Sequence, residues 1–188
     1  RCVMFANFSI RQSYTIIFLL LVFWASIAYY TMNTLIESQS YYAKLINLSG
    51  KQRMLSQKSA FFVHRYLFNQ EKENFTYLEE ILKELKSNHE YITQNLSPQA
   101  QHFYFEEPSN INGKMNDYTN LIEKFLNYPI ENTANDIYKQ SQNILTDLDK
   151  AVSVFQKESE EKTQELQKRE LYIFIGTILT ILFEAHFF

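Results

Sequence analysis

The chain has 188 residues, a formal net charge of -3 and a single cysteine. That length suits one domain. A slightly acidic balance with no basic block excludes nucleic acid as a partner, and one cysteine excludes a disulfide framework or a cysteine metal site. Three Gly and three Pro leave little room for the turns of an all-β fold and favour long helices.

From Tyr14 to Tyr30 no residue is charged. As a helix this run is ~26 Å long, workable for a ~30 Å bilayer core once flanking residues are included. Ser26-Ile27-Ala28 resembles a signal-cleavage site, but the apolar run continues past it into Tyr29 and Tyr30, which favours an uncleaved anchor. The basic residues ahead of it, Arg1 and Arg11, have no acid beside them. The positive-inside rule then makes 1–13 a cytoplasmic N-terminus, 14–31 the first transmembrane helix and 32–170 an external, periplasmic domain.

Residues 32–69 contain no Pro and one Gly, and continue the first span as one long helix. Asn69 to Asn74 is a turn. Phe75, Leu78, Leu82, Leu85, His89, Ile92 and Leu96 repeat every three or four residues, the seam of an amphipathic helix. Asn95-Leu96-Ser97-Pro98 ends it. A loop region follows over 98–113, with a helical turn around Gln101 to Phe105. A short helix spans 114–127 and breaks at Tyr128-Pro129. The last helix repeats at Ile137, Ser141, Ile144, Leu148, Ala151 and Phe155, then becomes strongly polar over 156–170, the pattern of a solvated face.

Residues 171–188 form a truncated second transmembrane helix, apolar from Leu171 to Phe183 and interrupted by Glu184 and His186. The first and last external helices are ~57 and ~60 Å long, the matched lengths an antiparallel pair needs to return to one membrane surface. The expected fold is all-α: a periplasmic antiparallel four-helix bundle flanked by two transmembrane helices. The chain starts with Arg and stops inside the second span, so it reads as a fragment. A histidine kinase, a methyl-accepting signalling domain or a nucleotide cyclase is the expected output domain beyond Phe188.

The stretch Ile46 to Ala60 carries most of the functional information. At ~100° per residue, Tyr41, Leu45, Leu48, Leu55, Phe62 and Tyr66 fall on one stripe, which should pack in the bundle. Ile46, Gly50, Arg53, Gln57, Ala60 and His64 fall on another. Small and apolar residues around one arginine suggest a second interface, most simply with the same helix of a second copy, so Ile46, Gly50, Arg53, Gln57 and Ala60 are the expected homodimer contacts. A twofold axis would bring two Arg53 guanidinium groups together. They repel unless an anion lies between them, and a planar oxyanion matches the guanidinium fork. Gly50 permits close approach, and Ser49, Ser56 and Gln57 can add polar contacts. The alternative is an Arg53 paired with a surface Glu.

Asn47-Leu48-Ser49-Gly50-Lys51-Gln52-Arg53-Met54-Leu55-Ser56-Gln57-Lys58 resembles the signature of the PilJ/NarX-like N-terminal sensor domain, also called the type IV pili methyl-accepting chemotaxis transducer N-terminal domain. That signature runs roughly Asn-x-Ala-Gly-x-x-Arg-Met-x-Ser-x-Arg. Asn47, Gly50, Arg53, Met54 and Ser56 match it, Ser49 stands for Ala and Lys58 for the final Arg. The layout is similar over nearly the whole chain, down to a Glu184-Ala185 pair near the end of the second span. The resemblance implies a two-pass receptor of the bacterial inner membrane whose four-helix bundle dimerises through its first helix. In nitrate-sensing members the motif arginine of each subunit binds one nitrate or nitrite at the dimer axis. It therefore implies Arg53, with Gly50 beside it, as the ligand site.

His64, His89, His102 and His186 lack metal-ligand spacing, and His89 reads as a satisfied core histidine. No phosphate loop, nucleophile arrangement or catalytic carboxylate pair stands out, so no enzyme, cofactor or metal is expected in these residues. The rival to an anion sensor is a structural or protein-interaction bundle of the cell envelope with no small ligand.

Overall fold

The computed structural model describes residues 10–187. Most of the expected cytoplasmic segment 1–13, including Cys2, lies outside them, as do the side chains of Ala185 and His186. Five helices follow in order: α1 Ile10–Asn69, α2 Lys72–Gln94, α3 Pro98–Phe105, α4 Ile111–Asn127 and α5 Glu131–Phe187. The described residues contain no strand. The expected helical turn after Pro98 is a full helix, α3.

The breaks between helices have local causes. Gln70, at φ 53°, reverses the chain between α1 and α2. Ser97 caps α3 by accepting from the Ala100 N–H at 3.1 Å, and Pro98 occupies the first turn, where its missing N–H does no harm. Asn110 adopts the left-handed region at φ 36°, which asparagine tolerates, and accepts from the Gly113 N–H at 3.0 Å. Tyr128-Pro129 separates α4 from α5.

The chain divides into two compact units: Tyr42–Glu158, and Arg1–Tyr41 together with Ser159–Phe188. In Tyr42–Glu158 every helix contributes to one core. Leu45, Leu55 and Val63 of α1 are buried with Leu78, Leu85 and Ile92 of α2 and Ala100 and Tyr104 of α3. Met115, Tyr118, Ile122 and Phe125 of α4, and Ile137, Ile144, Leu148 and Phe155 of α5, complete it. Each fully buried aliphatic side chain stabilises by about 1.5–3 kcal/mol, enough to dominate the local propensities of the polar helix surfaces.

Within the other unit, Trp24 of α1 lies across Gly176 of α5: a Cβ on that glycine would sit 2.5 Å from the indole ring. The indole Nε1 donates to Thr180 Oγ1 at 3.1 Å, and Thr180 Oγ1 donates to the Gly176 carbonyl at 2.9 Å. Phe18, Leu19, Phe23, Tyr172, Phe174, Leu179 and Leu182 are exposed on this unit. Contiguous exposed apolar surface marks a membrane or partner contact. Among the described residues one helix is long and apolar enough to cross a membrane, the part of α1 that begins at Tyr14. The end of α5 is the weaker stretch, its apolar run being bounded by Glu170 and Glu184.

Trp24 is the sole tryptophan, so fluorescence reports its contact with Gly176 directly. Gly176→Leu should displace the ring, at an overpacking cost of about 1–3 kcal/mol. The expected outcome is a shifted emission maximum and greater access to a soluble or lipid-phase quencher. An unchanged spectrum would exclude this packing.

Candidate functional site

Within Tyr42–Glu158, α1 presents two different faces. The inward face is unexpectedly polar: Ser49, Gln52, Ser56 and Ser59 are buried alongside Leu45, Leu55, Ala60 and Val63. Buried polar groups need partners: the Ser56 and Ser59 hydroxyls donate to carbonyls of α1 itself, and other helices add further contacts. Tyr118 Oη of α4 lies 2.5 Å from Ser59 Oγ and donates to the Ser56 carbonyl at 2.7 Å, a carbonyl to which Ser59 Oγ also donates at 2.8 Å. The Gln52 amide donates to His89 Nδ1 at 3.3 Å. The proton therefore sits on Nε2, which donates to Asn112 Oδ1 at 2.9 Å. The Tyr104 hydroxyl sits beside Ser49, though neither oxygen has a well-aligned hydrogen bond. Burial pushes the hydroxyls of Tyr104 and Tyr118 well above their ordinary pKa, so both stay neutral.

The outward face carries the motif. Arg53 is half-exposed and pairs with Asp149 of α5 at 2.5 Å. Its neighbour Lys51 pairs with Glu84 of α2. Together with Ile46, Asn47, Gly50, Met54 and Val152, these two cations line a groove of about 500 Å³ between α1 and α5. The groove lining contains two basic side chains and no acid. A Cβ at Gly50 would meet no atom of this chain within 4 Å. Glycine in a helix interior costs about 1 kcal/mol relative to alanine, and nothing within the chain requires it here.

The expected site residues thus divide. Gly50 and Arg53 line one groove, with Ile46 at its edge. Gln57 lies one turn on and donates to the Ser141 carbonyl at 3.3 Å. Ser49, Ser56 and Ala60 turn inward and are buried. The pairing of Arg53 is with a half-exposed surface carboxylate, as the alternative reading expected, but that of an aspartate of α5 rather than a Glu. Periodicity reasoning also missed an exposed ridge, Met54 (43%), Phe61 (58%) and Phe68 (92%). Its signal was the spacing of seven, which with Gly50, Gln57 and His64 makes a heptad seam. Among the described residues no group of three or more His, Cys, Asp or Glu side chains has metal-site geometry.

His89 is buried among Gln52, Asn112 and the stacked ring of Tyr104, with Lys86 and Glu90 lining the adjoining groove. Burial lowers its pKa below the ordinary 6.5. As pH falls, the unfolded chain takes up this proton before the folded chain does. Its effect on stability is therefore nil well above pH 6.5 and destabilising as pH falls through and below that value. The thermal midpoint should drop between about pH 7.5 and about pH 5 by less in His89→Gln than in the wild type. Equal drops would show that His89 does not titrate in this way.

Neither a curated protein nor a solved structure matches the chain. A family profile does: the type IV pili methyl-accepting chemotaxis transducer N-terminal domain, PilJ, matches residues 34–140. The matched region holds the whole Asn47 to Lys58 motif, α2, α3 and α4, and covers more than half of the chain. With its all-helical fold and the Gly50-to-Arg53 groove, this chain belongs to the PilJ family, a sensory region of the chemotaxis-transducer kind.

Proposed function

We propose that these residues are the ligand-sensing region of a bacterial transmembrane receptor, and that the ligand is a small anion of the nitrate or nitrite type held between the Arg53 side chains of a homodimer. The observation that carries this reading is the groove around Gly50 and Arg53, whose charged lining residues are both cations. The Arg53–Asp149 pair is half-exposed on both sides, and exposed pairs of this kind contribute only about 0–1 kcal/mol. Asp149 therefore holds the guanidinium in place without preventing its transfer to an incoming oxyanion, which offers the same two-pronged geometry.

The second copy explains Gly50. The exposed ridge of Met54, Phe61 and Phe68 alternates with Gly50, Gln57 and His64, the apolar period of a two-stranded coil. In that arrangement Arg53 and Ile46 flank the seam, and glycine allows the two helices to approach. Ala60, inward-facing in the protomer, leaves this interface, and Phe61 takes its place. Residues 42–158 act as an antiparallel four-helix bundle of α1, α2, α4 and α5 with α3 closing one end, held in the periplasm between spans at 14–31 and 171–188. The apolar exterior of the Trp24–Gly176 pair supports a two-pass arrangement in the cytoplasmic membrane. An anion that cancels the repulsion between two arginines favours one packing of the α1 helices over another. α1 is unbroken from Ile10 to Asn69, so a shift or rotation at Arg53 is carried along the same helix toward the membrane.

Two variants of the full chain in detergent test this. Asp149→Asn removes the competitor for Arg53, so nitrate or nitrite should bind about two- to fivefold more tightly by titration calorimetry, the equivalent of ≤1 kcal/mol. Weaker binding would mean that Asp149 helps to form the site. Gly50→Ala should stabilise the isolated protomer by about 1 kcal/mol while weakening self-association in sedimentation experiments. If self-association is unchanged, the second copy does not meet α1 at Gly50.

A further inference from the structure

A second groove, of about 430 Å³, lies between α2 and α4 on the bundle. That volume is within the usual range for small-molecule sites. Its chemistry differs from that of the Arg53 groove. The charged lining residues are one cation and one anion, Lys86 and Glu90, which stand one helical turn apart on α2. Facing them, α4 presents Asn112, Asn116 and Asn120, an amide on each successive turn. No Phe, Tyr or Trp ring lines the groove, so it lacks the broad apolar platform on which a sugar ring would stack.

Several of these groups are available. Lys86 pairs with Glu123 at 2.5 Å, with both side chains about half-exposed, and Glu90 accepts from Gln94 at 3.2 Å at the surface. Such contacts are weak enough to exchange for a ligand. Among the described residues neither the Asn116 nor the Asn120 side chain has a hydrogen-bond partner. The two threonines of the lining spend their hydroxyls on backbone carbonyls. The floor is His89, 7% exposed, with its Nε2 already given to Asn112 Oδ1.

We propose that this groove binds a free α-amino acid as its zwitterion. The α-ammonium goes to Glu90, the α-carboxylate goes to Lys86, and the Asn116 and Asn120 amides hold the polar remainder. An electrically balanced lining with opposite charges one turn apart matches a net-neutral ligand carrying both charges. It does not match a simple anion. Binding here also has a route to α1. A ligand that engages Asn112 takes the acceptor of His89, and His89 is hydrogen-bonded through Nδ1 to Gln52, the residue before Arg53. The groove is then a second input to the motif helix.

The test is titration calorimetry on the full chain in detergent with each of the twenty protein L-amino acids, and with glycerol and glucose. At least one amino acid should bind saturably. Its N-acetyl and methyl-ester derivatives, each lacking one charge, should bind at least about tenfold more weakly, the loss of one charge-assisted hydrogen bond. Asn116→Ala/Asn120→Ala and Glu90→Gln alter exposed side chains and should weaken binding by a similar factor with little change in thermal midpoint. Arg53→Ala should leave it intact, which separates this site from the anion site. Binding of no amino acid, binding that survives these groove variants, or binding of glycerol or glucose in its place would overturn the proposal.

Discussion

Four polar side chains on the inward face of α1 set the geometry of everything around them. Ser49, Gln52, Ser56 and Ser59 are buried where a bundle helix would ordinarily place leucine or valine. A buried polar group without a partner costs about 1–3 kcal/mol; the Ser56 and Ser59 hydroxyls find theirs on carbonyls of α1 itself, and the Gln52 amide and the Ser56 carbonyl find theirs on other helices. Tyr118 meets Ser56 and Ser59 from α4, and His89 meets Gln52 from α2. The register of three helices is thereby tied to the motif. With Ser49, Gln52 and Ser56 turned inward, the helical period turns Gly50 outward and puts Arg53 at the flank, where it reaches Asp149 of α5.

The two faces of α1 explain why the motif is compact. One helix satisfies its own bundle through small polar residues and offers an arginine, a glycine and an apolar ridge to whatever lies outside. The Arg53–Asp149 contact bridges the outward faces of α1 and α5, the helices whose continuations form the Trp24–Gly176 pair. A ligand that draws Arg53 away from Asp149 changes how the first helix is held against the last. The energy at stake in an exposed ion pair is small, about 0–1 kcal/mol.

Much of the fold was legible because it depends on short-range signals. Scarce Gly and Pro announced long helices, the three-four repeat from Phe75 to Leu96 marked α2, and Tyr128-Pro129 marked the break before α5. Ser97-Pro98 is a helix-start signal that a loop reading of 98–113 passed over, and α3 begins there. Of the expected site residues, Gly50 and Arg53 line one groove. Their surroundings were less legible in the sequence, since hydropathy assigns serine and glutamine to the surface. Ser56 is buried with its hydroxyl given to the Arg53 carbonyl of its own helix, and Gln52 is buried against His89, distant in sequence. Asp149 was invisible for the same reason. Met54, Phe61 and Phe68 needed only a seven-residue spacing to be seen, but reading them as an exposed ridge required knowing which face of α1 the bundle had already taken.

Thermal unfolding of the full chain in detergent, with nitrate, nitrite, sulfate and chloride at matched ionic strength, tests the anion site most directly, with Arg53→Ala measured alongside. A ligand that binds only the folded state stabilises it by ~2.7 kcal/mol at one hundred times its dissociation constant, a rise of a few degrees for a chain of this size. The arrangement around Arg53 predicts such a rise for nitrate or nitrite and its loss in Arg53→Ala. Identical midpoints in all four salts, or a rise that persists without the guanidinium, would contradict it.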